Sequence, residues 1–179
     1  MEFEEKQGLK IWWLYLITGV SILPALAIIF LSKGGLNLEE LKDMYFSPLL
    51  ALFSPFLIIF LIEKSTLTLK INQHGMAYRY FPLQLKYKTQ QWENIEKAYL
   101  SAYDAFSEYG GYGVKSRLWF KTNDKAYVLN DGNRGLQFEF KNGKKLLFST
   151  NKVEEMETFL INIKTRFKIQ AIQENGGER

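Results

Sequence analysis

The chain has 179 residues, 23 Lys plus Arg against 19 Asp plus Glu, a net charge of +4 and no Cys. The missing Cys excludes a disulfide scaffold, a thiolate metal site and a cysteine nucleophile. The single histidine, His74, excludes His-cluster metal sites and catalytic histidine pairs. With 47% apolar residues, 13 Gly and 4 Pro, the composition is not that of a disordered chain.

The first long feature is an uncharged run from Ile11 to Ser32, IWWLYLITGVSILPALAIIFLS. As a helix it would extend about 33 Å, against a hydrocarbon core of roughly 30 Å. Trp12, Trp13 and Tyr15 cluster at one end as interfacial aromatics do. A second uncharged run, Met44 to Ile62, would reach about 28 Å. Pro48 suits a first helical turn, and Pro24 and Pro55 would bend the two helices. The expectation is a membrane anchor over residues 1–62, with transmembrane helices at about 11–32 and 44–62. A cleaved signal peptide fits less well, because MEFEEKQGLK carries three Glu against two Lys. Lys6, Lys10, Lys64, Lys70 and Arg79 flank the runs, whereas the connecting loop balances Lys33 and Lys42 with Glu39, Glu40 and Asp43. The positive-inside rule then puts both termini in the cytoplasm.

From Glu63 the pattern changes to short alternating segments. Leu67, Leu69 and Ile71 alternate with polar neighbours, Asn72-Gln73-His74-Gly75 signals a turn, and Met76, Tyr78 and Tyr80 alternate in a second strand. Pro82 interrupts it. Further strands are expected at Gln84–Lys88, Glu96–Ala102, Val114–Phe120, Ala126–Asn130, Leu136–Phe140 and Lys145–Ser149. Polar turns are expected at Lys121–Lys125 and Asp131–Gly135, and Asn142-Gly143 is a strong hairpin signal. Asn151 could cap a final helix, whose Val153, Met156, Leu160, Ile163 and Phe167 form an apolar stripe broadened by Phe159. The pattern predicts a mainly-β domain over 63–170 and a flexible tail at 171–179. About seven antiparallel strands would form a small barrel or pair of sheets, with the amphipathic helix covering one end.

The strand meander, Trp92 before Ile95, the closing helix and the segment Glu108-Tyr109-Gly110-Gly111-Tyr112-Gly113 together resemble bacterial pleckstrin-homology-like (PH-like) domains. More narrowly, they resemble membrane-anchored members whose function is not established. In those proteins a similar loop carries Trp where Tyr112 stands. Tyr127, Gly132, Gly135 and Gly143 also fit, whereas Ser149-Thr150 replaces a Gly-Thr and Val153 replaces a Pro. The resemblance implies a PH-like barrel, a bacterial inner-membrane location and no catalytic residues.

Two candidate sites stand out. The first is Glu108–Gly113, where three glycines permit positive φ and close backbone approach, and Tyr109 and Tyr112 supply amphipathic contact area. A glycine-kinked corner with packed tyrosines is the competing reading. The second is basic: residues 63–179 hold 19 Lys plus Arg against 13 Asp plus Glu. Lys86 with Lys88, and Lys115 with Arg117, could meet anionic lipid headgroups. Basic and acidic residues are interleaved and no helix has a basic face, so nucleic acid is not an expected partner. Asp124 and Asp131 flank a short strand but belong to turn chemistry. No catalytic triad, metal-ligand cluster or cofactor motif is present. The expectation is a membrane-anchored, non-catalytic interaction module that needs no cofactor. Its partners would be the lipid bilayer and a membrane-protein partner or complex, with homo-oligomerisation left open. The alternatives are a sensor of anionic lipid and a small enzyme acting on lipid.

Overall fold

The structure, a computed structural model, describes residues 1–9, 12–24, 27, 47–117, 121–130 and 132–173. The chain divides into two compact units, Met1–Lys10 with Ser65–Arg179, and Ile11–Lys64.

Among the described residues, the larger unit has nine strands and two α-helices, the strands being β1 Glu2–Gly8, β2 Thr66–Asn72, β3 Gly75–Phe81, β4 Lys88–Gln91, β5 Ile95–Ala102, β6 Gly113–Arg117, β7 Lys121–Val128, β8 Arg134–Phe140 and β9 Lys145–Ser149. One sheet has the order β1-β2-β3-β4 and the other β5-β8-β9-β7-β6. Strands β1 and β3 follow period-two logic. On β1, Phe3, Glu5 and Gln7 are buried while the residues between them are exposed. On β3, Met76, Tyr78 and Tyr80 are buried. The main core joins Leu67, Leu69, Ile71 and Tyr78 of the first sheet to Leu136, Phe138 and Phe148 of the second. The helix Val153–Phe167 lays Met156, Leu160 and Ile163 on that core. The stripe seen in the sequence is thus covered except at its end, where Phe167 is exposed.

Three expectations are corrected here. The strands form two separate sheets, not a barrel of about seven antiparallel strands, because the chain leaves the first sheet after β4. The turn Trp92–Asn94 then starts the second sheet, with Trp92 Nε1 donating to Asn72 O at 2.8 Å. The strands are not all antiparallel, since β9 inserts between β8 and β7 and runs parallel to β7. Polar Lys121–Lys125 is strand and not turn, its residues pairing with β6 and β9.

The membrane hairpin is also corrected. In the described part of the first run, helix α1 spans Trp12–Val20, only about 14 Å, and Leu23, Pro24 and Ala27 are again helical beyond a two-residue turn. Helix α1 ends in that turn, in which Ile22 N donates to Gly19 O, while Ser21 Oγ donates to Thr18 O at 2.6 Å. The second helix, α2 (Ser47–Lys64), has 18 residues, contains Pro55 and closes on Glu63 and Lys64. Among the described residues no helix is long and apolar enough to cross a membrane. A run without charges is not the same as an unbroken helix: the backbone turns where Ser21 meets its own helix carbonyls. The integral inner-membrane location expected from the two runs therefore has no candidate span among the described residues. Most of 25–46, which holds the rest of the first run, the connecting loop and the start of the second, lies outside the described residues. Both helices carry exposed apolar side chains, among them Trp12, Phe53, Phe56 and Leu57.

The β2–β3 turn depends on a close approach. A Cβ on Gly75 would lie 2.1 Å from Gln90 O and 2.8 Å from Gln91 Cα, both backbone atoms of β4. Gly75→Ala is expected to push β4 off β3 and destabilise by about 2–3 kcal/mol. Gly8→Ala, whose Cβ would meet Ser65 O at 3.8 Å, should stay close to the parent when the two variants are compared by urea titration.

Candidate functional site

The Glu108–Gly113 segment closes a short helix, α3 (Ala105–Tyr109), that precedes β6. Asp104 caps α3: its Oδ1 accepts from Phe106 N at 2.9 Å and Ser107 N at 2.8 Å. The Ser107 and Phe106 amides hold the Asp104 carboxyl below the usual carboxylate range. Glu108 returns the bond, its Oε1 accepting from Asp104 N at 3.1 Å. Helix α3 ends at Gly110 in the left-handed region, and Gly111 and Gly113 also have positive φ, 117° and 99°. A side chain is strained in all three conformations.

The two tyrosines part company. Tyr109 is 2% exposed and lies in a second core with Tyr103, Ala126, Val128 and Leu147. Its hydroxyl donates to Asp124 Oδ1 at 3.3 Å. It clamps α3 to the outer face of the second sheet. Tyr112 is half-buried and its ring meets Phe106 edge-on, with centroids 5.2 Å apart and planes at 86°. Phe106 is 57% exposed. It sits outside the glycine motif, and sequence reasoning missed it. The capping signal Asp104-Ala-Phe-Ser-Glu108 could have revealed the helix that presents it.

The four basic residues do not share a face. Lys86 is exposed in the bend before β4, and Lys88 lies opposite Tyr78 on the interior side of the first sheet. Lys115 is half-buried opposite Ala126, on the outer side of the second sheet. Arg117 follows a register shift at the end of β6. Lys70 and Arg79 are also engaged: Lys70 Nζ bonds Glu4 at 2.8 Å, and the Arg79 guanidinium lies 4.8 Å from the Tyr87 ring centroid. Asp131, which with Asp124 flanks the short strand expected from the sequence, lies outside the described residues. Among the described residues, no group of three or more His, Asp or Glu is placed to hold a metal ion.

No protein-family model matches the chain, and no curated protein matches it.

Proposed function

We propose that the β unit is a non-catalytic interaction module that takes an extended segment of a protein partner along the edge of β6, beside the Phe106–Tyr112 ring pair. One observation carries this reading: exposed Phe106 and half-buried Tyr112 meet across a glycine-hinged turn immediately before a strand that ends its sheet order. An added strand draws affinity from main-chain hydrogen bonds and specificity from side-chain pockets. The opposite edge of the same sheet is already engaged, since Ala98 N donates to Ala171 O at 2.8 Å and Gln173 N to Ala98 O at 2.9 Å. The resemblance to PH-like domains enters as part of the proposal, as the expectation of a binding role without catalysis.

The test is cross-linked purification with the full chain as bait. Phe106→Ala and Tyr112→Ala together should strip a partner from the eluate. Their edge-on contact is worth about 0.5–1.5 kcal/mol, so the unfolding midpoint should move only slightly. Retention of every partner by the double variant would overturn the reading.

A further inference from the structure

A cavity of about 360 Å³ opens between the two sheets, lined by residues of β3, β4, β7, β8, β9 and the β8–β9 turn. Its floor is aromatic: Tyr78, Tyr127 and Phe140 are all buried. Its upper walls carry Lys88, Lys125 and Lys144, with Gln90, Asn123 and Asn142 between them. Among the described residues, no carboxylate lines it.

The placement follows from strand periodicity. Asn123, Lys125 and Tyr127 alternate along β7 and so share one face. Tyr127 on that face packs in the main core. Lys88 stands opposite buried Tyr78, and Gln90 opposite buried Met76. These are interior-side positions, where a sheet pair normally continues its apolar contact. Here they carry ammonium and amide groups instead. Asn142 Oδ1 accepts from Lys144 N at 3.1 Å, which fixes that turn and leaves Nδ2 as a donor.

The charge is also unbalanced locally. Lys70 is paired with Glu4, Lys145 with Glu139 and Lys152 with Glu155. Among the described residues, Lys88, Lys125 and Lys144 have no such carboxylate. Burial first, then the neighbouring Tyr127 hydroxyl, holds the Tyr78 phenol above the usual tyrosine range. Tyr78 therefore stays neutral and adds no negative charge to the floor.

From this geometry we infer that the cavity binds a small phosphomonoester with a planar aromatic body, the ring resting on Tyr78, Tyr127 and Phe140 and the phosphate held by Lys88, Lys125 and Lys144. A phosphate monoester carries about −1.5 to −2 charges at neutral pH, matching a cluster of three ammonium groups better than a single carboxylate would. The volume falls at the small end of ligand pockets. This site is separate from the β6 edge, so the two readings stand or fall independently.

The probe is phenyl phosphate, titrated into the full chain by calorimetry with inorganic phosphate and phosphatidate-containing vesicles in parallel. Phenyl phosphate should saturate one site, bind about tenfold tighter than inorganic phosphate because of ring contact, and weaken as salt rises. Lys88→Gln, Lys125→Gln and Lys144→Gln combined should abolish saturation. The single reversal Lys125→Glu should do the same with less risk to folding, whereas Lys152→Gln should bind as the parent does. The inference is overturned by no saturation at about 10 mM ligand, by parent-like binding of the lysine variants, or by binding of the vesicles alone.

Discussion

Removing residues 1–8 is expected to abolish the cooperative unfolding transition of the β unit, although a chain start is ordinarily dispensable. Strand β1 pairs with β2 over its whole length, from Glu2 opposite Asn72 to Gly8 opposite Thr66. Phe3 is buried and meets Phe159 of the final helix with centroids 5.6 Å apart. Glu5 is 3% exposed and accepts from Thr150 Oγ1 at 2.7 Å and Asn151 N at 2.8 Å. Gln7 Nε2 donates to Ser149 O at 2.5 Å, and its Oε1 accepts from Ser149 Oγ at 3.0 Å. Losing Phe3 alone costs about 3–5 kcal/mol. Each buried polar group left without a partner adds about 1–3 kcal/mol. The sum reaches the whole stability of an ordinary domain, about 5–15 kcal/mol. Urea unfolding followed by Trp fluorescence checks this, since Trp92 is in the core. Glu5→Ala should show part of the effect, about 2–4 kcal/mol, by orphaning Thr150 and Asn151. A deletion variant that unfolds at the parental midpoint would show that β1 is not integral to the sheet.

Tyr109→Ala is expected to destabilise by about 3–5 kcal/mol, because it empties the centre of the second core. The ring is surrounded by Tyr103, Ala126, Val128 and Leu147, and it supports the helix that presents Phe106. Tyr109→Phe keeps the packing and loses the bond to Asp124, a change of about 1 kcal/mol. The two variants separate packing from recognition. If Tyr109 were a partner contact, both would keep the parental unfolding midpoint in a thermal melt, and the packing assignment would fail.

Local pattern made much of the β unit legible. Leu67, Leu69 and Ile71, the Asn72–Gly75 turn, the Asn142-Gly143 hairpin and the final helix all lie where alternation and turn chemistry put them. The signal was weak where burial is polar. Glu5 and Gln7 occupy interior positions of β1, so FEEKQG reads as a solvated segment and its strand was missed. Lys121–Lys125 reads as a turn because Asn123 and Lys125 face the cavity while Asp124 is the buried member. The Tyr-Gly segment was identified by its glycines, but composition alone could not assign Tyr109 to packing and leave Tyr112 half-exposed. That division follows from α3, whose five residues are too short for a periodic signal. The parallel β7–β9 pairing is a nonlocal choice that no short window contains.

The partners β1 and β2 would make an ordinary hairpin if Gly8 ran straight into Thr66. Instead the whole Ile11–Lys64 unit is spliced between them. Relative to a two-residue turn, that detour spans about five doublings of loop length, an entropic toll of roughly 3 kcal/mol on docking β1. Such distant pairing forms late in folding, so β2 waits with a bare flank until the amino-terminal strand arrives. During synthesis β1 emerges before β2 and yet is secured after it, like a drawstring pulled tight only after the bag is filled.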